Sequence, residues 1–171
     1  FAKQAIVDSD FLHNIPLHIA FSTGLDALNQ AFESLWNINA NVITRSLSIK
    51  AVVNCLNSLV LLDKLKTNQE VAKNIATGSL LAGLSISHTR TAICHSISYP
   101  LTLEFGLPHG LACGFSMHEV YKFNADHIKD DIASIEEQLD GKKILDIIDI
   151  IFKKFEFYKL VGQYIQDTNR V

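Results

Sequence analysis

Apolar residues recur at spacings of three and four along most of the chain. No stretch alternates with period two for long, and this predicts an all-α domain. Residues 22–36 read as a helix. Leu25, Leu28, Phe32 and Leu35 keep helical spacing, and Asp26, Gln30 and Glu33 share another face. Ser22 or Thr23 is the expected cap, with Asp26 three residues past Thr23 as in a capping box. Residues 41–63 are apolar nearly all round, from Val42 and Leu47 through Val52, Leu56 and Leu59 to Leu62. That is the pattern of a helix buried on several sides. A third helix is expected over 69–87. Its small residues Ala72, Ala76, Gly78, Ala82 and Gly83 predict close approach to a neighbour, expected to be the helix that bears His95.

The remaining segments are marked by their breakers. Residues 1–21 hold a short apolar run, Ala5 to Asp8, and a loop at Asn14-Ile15-Pro16. One short helix is expected there, near Leu12. Pro100 should end or kink the helix before it, and Pro108 should open another through Leu111, Ala112, Phe115 and Val120. From Asn124 on, charges of both signs alternate with isoleucines. This gives two amphipathic helices, over Ile128–Leu139 and Ile144–Phe155, broken at Asp140-Gly141.

Composition narrows the class. The 171 residues suffice for one domain with a sizeable core, read as a single unit over 1–171. Apolar residues at 48% against 19% charged exclude a disordered chain. A formal charge of −3 argues against nucleic acid or an anionic membrane surface as partner. Cys55, Cys94 and Cys113 show no C-x-x-C pairing, which fits reduced thiols in a cytoplasmic protein. No apolar run reaches the roughly 18 residues that a membrane span needs. The start, Phe-Ala-Lys-Gln, reads as a chain that begins in mid-sequence.

The candidate chemistry centres on Cys94 to Gly110, C-H-S-I-S-Y-P-L-T-L-E-F-G-L-P-H-G. It places His95 and His109 fourteen residues apart, the second within Pro-His-Gly. Pro108 presets the backbone for a helix start at His109. Gly110 lets another group approach the main chain closely. His95 is expected near the end of a helical run, with a turn between the two. Two imidazoles from different elements are half of a metal site.

Upstream, Ser22 to Glu33 reads S-T-G-L-D-A-L-N-Q-A-F-E. Taken together, the two stretches resemble the C-terminal domain of the iron-containing (group III) alcohol dehydrogenases. Members of that family carry G-x-D-A-x-x-H-x-x-E and, later, H-x-x-x-H with P-H-G. The run S-Y-P-L-T after His95 looks closest to the phosphonoacetaldehyde reductase branch, also called hydroxyethylphosphonate dehydrogenase. The likeness runs from about Ile6 to Asn124. It implies a helical bundle, the C-terminal domain of the dehydroquinate synthase-like fold. It also implies reversible reduction of an aldehyde by NAD(P)H.

The resemblance assigns Asp26, His95 and His109 as metal ligands. A carboxylate with two imidazoles suits Fe(II) or Zn(II), with open positions for water or substrate. Gln30 stands where the family has a third His, so it either ligates weakly, holds a ligated water or does neither. Tyr99 stands where the family has another His, and is either a proton donor to the alkoxide or an aromatic closing a turn before Pro100. Arg90 is a candidate for the anionic phosphonate head, if the helix of His95 starts early enough to include it. Arg45 is a weaker second candidate. Glu33, His88, His118 and His127 read as structural or surface groups, and Cys94 as core.

No strand, Gly-rich turn and helix occur in succession, so no dinucleotide-binding unit is expected here. In the family that unit is an N-terminal domain, and it would be this chain's partner in one polypeptide. The chain then reads as the metal-binding part of a two-domain enzyme, without turnover on its own. The alternative is a helical domain that keeps the fold, has lost the metal and serves assembly. The choice between NADH and NADPH, and between monomer and homodimer, stays open.

Overall fold

The computed structural model describes residues 3–165; Phe1, Ala2 and residues 166–171 lie outside it. Eight helices follow one another: α1 (Leu17–Leu35), α2 (Val42–Val60), α3 (Gln69–Thr89), α4 (Ile93–Phe105), α5 (His109–Asn124), α6 (Lys129–Gln138), α7 (Ile144–Lys154) and α8 (Phe157–Ile165). Short 3-10 segments precede α1 at Ser9–Asn14, follow α2 at Leu62–Lys64 and join α5 to α6 at Ala125–Ile128. Among the described residues there is no strand, as the absence of period-two alternation predicts.

α1 is the axis of the bundle. It packs against α2, α3, α5 and α4, and it is buried on nearly every side. It begins five residues before the predicted start, because Pro16 at its N-cap sets the backbone for entry. Ser22 and Thr23 are therefore interior and cap nothing; Thr23 Oγ1 donates to the Ile19 carbonyl at 2.9 Å. α2 starts on a capping box. Asn41 accepts from the N–H groups of Ile43 and Thr44, and Thr44 Oγ1 accepts from Asn41 N–H. α3 starts on Asn68, whose side chain accepts from Glu70 and Val71 N–H.

Two expectations need correcting and a third is narrowed. The small residues of α3 serve α2 and α1, not the helix of His95. At Gly78 a Cβ would lie 2.7 Å from Cys55 Sγ, whereas Gly83 faces open space. Of the two outcomes expected for Pro100, it does not end the helix; it sits inside α4. Ser96 and Pro100 are both exposed, so solvent can take the carbonyl that Pro100 leaves without a donor. The C-terminal part carries a third helix, α8, whose Phe157 and Val161 join the core through Phe152. It was hidden by the Phe155-Glu156 turn, where Glu156 has φ +48°.

The link from α3 to α4 is only three residues long. Arg90 turns it with φ +75°, a region costly for a residue with a Cβ. Asn37 Nδ2 holds the Arg90 carbonyl at 3.2 Å, and Arg90 N–H donates to Ile86 at 2.8 Å. Arg90 thus terminates α3 and is not on the helix of His95. His95 lies in the first turn of α4, not near the end of a helical run.

Candidate metal centre

Three helices deliver the candidate donors. Asp26 comes from the middle of α1, His95 from the first turn of α4, and His109 and Cys113 from the first two turns of α5. One atom from each of these four side chains lies within 4.8 Å of the other three. Asp26 Oδ1 is 3.3 Å from His95 Nε2 and 3.7 Å from His109 Nε2. Cys113 Sγ is 3.6 Å from His109 Nε2. The imidazoles meet edge to face, with ring centroids 5.3 Å apart.

The approach of α5 to α1 depends on Gly110. A Cβ there would stand 1.7 Å from the Ser22 carbonyl oxygen, inside the backbone of α1. The Pro-His-Gly sequence thereby gains a physical reason. Pro108 caps α5, His109 is its first residue, and Gly110 lets that first turn touch the helix that carries Asp26.

Each imidazole has one nitrogen occupied and the other aimed inward. His95 Nδ1 meets Glu33 Oε2 at 2.6 Å, and His109 Nδ1 meets Ser98 Oγ at 3.3 Å. Metal-binding histidines are held in this way, by a partner on the far nitrogen that fixes the tautomer. Glu33 does more. Its carboxylate also accepts from the N–H groups of Ala92 (2.8 Å), Cys94 (2.6 Å) and His95 (3.2 Å). Ala92 has no side chain able to cap α4, so a carboxylate from α1 caps it instead. Glu33 is 0% exposed, so of its two expected readings it is the structural group and not the surface one. The signal was its place seven residues after Asp26 on one helical face.

Burial opposes charge on His95, but contacts with Asp26, Cys113 and Glu33 outweigh it and push its pKa up to about 12. Burial would raise Glu33, yet the His95 ring and the backbone N–H groups hold it below its ordinary value. Both shifts favour the charged form of His95 beside Glu33 and Asp26 in the metal-free protein. A metal ion at the same place would take over the role of that proton.

Asp26 Oδ1 is buried without a hydrogen bond. The 3.3 Å contact with His95 is within ion-pair reach but off the direction of a hydrogen bond. The other oxygen, Oδ2, accepts from Gln30 Nε2 at 3.1 Å. Tyr99 is 51% exposed and lies parallel to the His109 ring, with centroids 6.3 Å apart. It stands on the open side of the cluster. Arg90 is exposed at the turn before α4, and Arg45 is engaged by Asp131. His88 and His127 are exposed, and Cys94 is buried, as expected. Cys113 was missed because its position four residues after His109 showed nothing until α5 was seen to face Asp26. An apolar cavity of about 320 Å³, lined by Leu12, Ile15, Ala20, Gly24, Ala27 and Ile75 among others, lies elsewhere and includes none of the donors.

The family model described as "Fe-containing alcohol dehydrogenase family, C-terminal" matches residues 20–161. The chain belongs to the Fe-containing alcohol dehydrogenase family. Lactaldehyde reductase of Escherichia coli (strain K12) is 30% identical over 127 residues, 72% of this chain and 32% of that protein. The probable alcohol dehydrogenase EutG of Salmonella typhimurium is 28% identical over 159 residues, 93% of this chain and 40% of that protein. Sulfoacetaldehyde reductase from Bifidobacterium kashiwanohense, solved with NAD+, superposes with a TM-score of 0.75 at 26% identity. That match covers 91% of this chain and 40% of the reductase. The iron-containing alcohol dehydrogenase of Thermococcus thioreducens shares the fold, with a TM-score of 0.77 at 24% identity over 96% of this chain and 44% of the other. The chain spans 14% of one of the curated relatives it matches and 40% of another. As a member of the Fe-containing alcohol dehydrogenase family it has the helical C-terminal fold that the sequence predicted, and its relatives are oxidoreductases. No helix among the described residues is long and apolar enough to cross a membrane.

Proposed function

We propose that this member of the Fe-containing alcohol dehydrogenase family is the metal-binding part of an NAD(P)H-dependent aldehyde reductase. Asp26, His95 and His109 would hold Fe(II) or Zn(II). One observation carries the reading: the buried, unbonded Asp26 Oδ1 faces two Nε2 atoms whose rings are already held from behind. An oxygen and two imidazole nitrogens from three helices suit either metal. They weigh against a domain kept for assembly alone.

The reaction would be aldehyde plus NAD(P)H and a proton giving alcohol and NAD(P)+. A bound cation supplies Lewis acidity that polarises a carbonyl oxygen. With a cation bound, Glu33 would hold His95 in the tautomer with Nε2 free, and Ser98 would do the same for His109. Gln30 turns the Asp26 carboxylate so that Oδ1 points inward. The Tyr99 hydroxyl, on the open side, is the candidate proton donor to the alcohol oxygen. The nicotinamide would be held by a separate dinucleotide-binding domain, since residues 3–165 form no strand. The 171 residues alone are then expected to show no turnover.

For substrate we favour an aldehyde with an anionic head, phosphonoacetaldehyde foremost. The similarity to a sulfoacetaldehyde reductase supports this class, because sulfonate and phosphonate ask for the same cationic partner. Arg90, exposed at the α3–α4 turn and off the helix of His95, stays a candidate for that partner by its charge alone.

Calorimetric titration of the metal-free protein tests the centre. Zn(II), or Fe(II) without oxygen, should bind at one equivalent to the wild type and far more weakly to Asp26→Ala and His109→Ala. Equal binding by all three would defeat the reading.

A further inference from the structure

Of the roles open to Gln30, bracing a ligand fits its contact in the structure. Gln30 has its amide 3.1 Å from Asp26 Oδ2. The atom at that distance must be the N–H end, because a carbonyl oxygen would be repelled by the carboxylate. Gln30 therefore spends its polar end bracing Asp26. Cys113 does reach the cluster. It lies one turn after His109 on α5, so both side chains leave the same helix face. Its Sγ is within 4.8 Å of Asp26, His95 and His109 donor atoms, and the residue is fully buried.

We propose that Cys113 is a thiolate ligand of the metal. The centre is then a four-donor set of Asp26 Oδ1, His95 Nε2, His109 Nε2 and Cys113 Sγ, which prefers Zn(II) to Fe(II). This rests on reading the cluster as a metal centre, as proposed above. The preference follows from ligand chemistry. A soft sulfur donor favours Zn(II), and mixed sulfur, nitrogen and oxygen sets of four are typical zinc surroundings. When the metal enters, the Sγ–metal bond forms and the thiol proton passes to solvent. Neither Cys55 nor Cys94 is among the donors of the cluster.

The probe is Zn(II) added to the metal-free full chain, read by X-ray absorption at the zinc edge. The expected result is one sulfur scatterer at about 2.3 Å beside nitrogen and oxygen. Co(II) in its place should show a sulfur-to-metal charge-transfer band in the near ultraviolet. Cys113→Ser should lose both signals, bind Zn(II) about tenfold or more weakly, and show a smaller Zn(II) over Fe(II) preference. Gln30→Ala should keep the sulfur scatterer. A wild-type shell of nitrogen and oxygen only would overturn the thiolate and leave the metal centre standing. No zinc bound by the wild type would overturn both. The wild-type spectrum decides the matter even if Cys113→Ser does not fold.

Discussion

Glu33 and His95, sixty-two positions apart, share a 2.6 Å hydrogen bond in a fully buried site. The same carboxylate receives three backbone N–H groups at the start of α4. Removing it strands a buried imidazole and three donors together. Glu33→Ala should cost the metal-free protein about 3–5 kcal/mol in denaturant unfolding, as for other broken buried pairs. Glu33→Gln should keep the fold better and still weaken metal binding about 10- to 100-fold.

The same pair sets a pH window for the metal-free protein. Glu33 titrates below its ordinary 4.5 in the folded state, so its contribution is present above that value and is lost as pH falls through the lowered pKa. His95 is raised from 6.5 to about 12, so its contribution is full below 6.5 and declines as pH rises toward 12. Both act fully between about pH 4.5 and 6.5. Thermal unfolding should give the highest Tm in that window and a falling Tm at alkaline pH. A bound metal, which competes with the proton, should flatten the alkaline side. A Tm of the metal-free protein that climbs from pH 6.5 to 9 would contradict the pairing.

Gly110→Ala inserts a methyl group into the backbone of α1 at Ser22. The helices must part, and overpacking of this kind costs about 1–3 kcal/mol. The stretch between Asp26 and His109 should grow with it. Weaker metal binding should therefore accompany the lower Tm, whereas Gly83→Ala, which meets open space, should change neither.

In the complete enzyme Tyr99→Phe keeps the ring over His109 and removes only the hydroxyl. If that hydroxyl donates the proton, kcat for aldehyde reduction should fall about 100-fold or more with KM little changed. An unchanged kcat assigns Tyr99 to packing alone.

Arg90→Ala should raise KM about tenfold or more for a phosphonate-bearing aldehyde, the loss of one charge-assisted contact, and leave a neutral aldehyde unaffected. Equal KM changes for both substrates would point to a disturbed α3–α4 turn, since Arg90 also holds φ +75° there.

Much of this was legible in the sequence, for identifiable reasons. Period and breakers gave the all-α class and the major helices. Pro108, His109 and Gly110 announced a helix start with a close approach, because each residue type has a narrow conformational use. The start of α1 and the fate of Pro100 were not legible. They depend on Pro16 and on which side of α4 faces solvent. The partners of Glu33 were not legible, because Ala92, Cys94 and His95 belong to another stretch of the chain. Cys113 stayed silent for the same reason: its meaning depends on what faces α5.

Asp26, Gln30 and Glu33 all leave one face of α1, the helix at the axis of the bundle. A small rotation or slide of that rod therefore moves a donor, its brace and the cap of α4 in concert. Substitutions that touch no donor, among the Leu25, Leu28 and Phe32 contacts that seat the rod, become indirect dials on the ion's grip, and the same event that loosens the interior releases the metal.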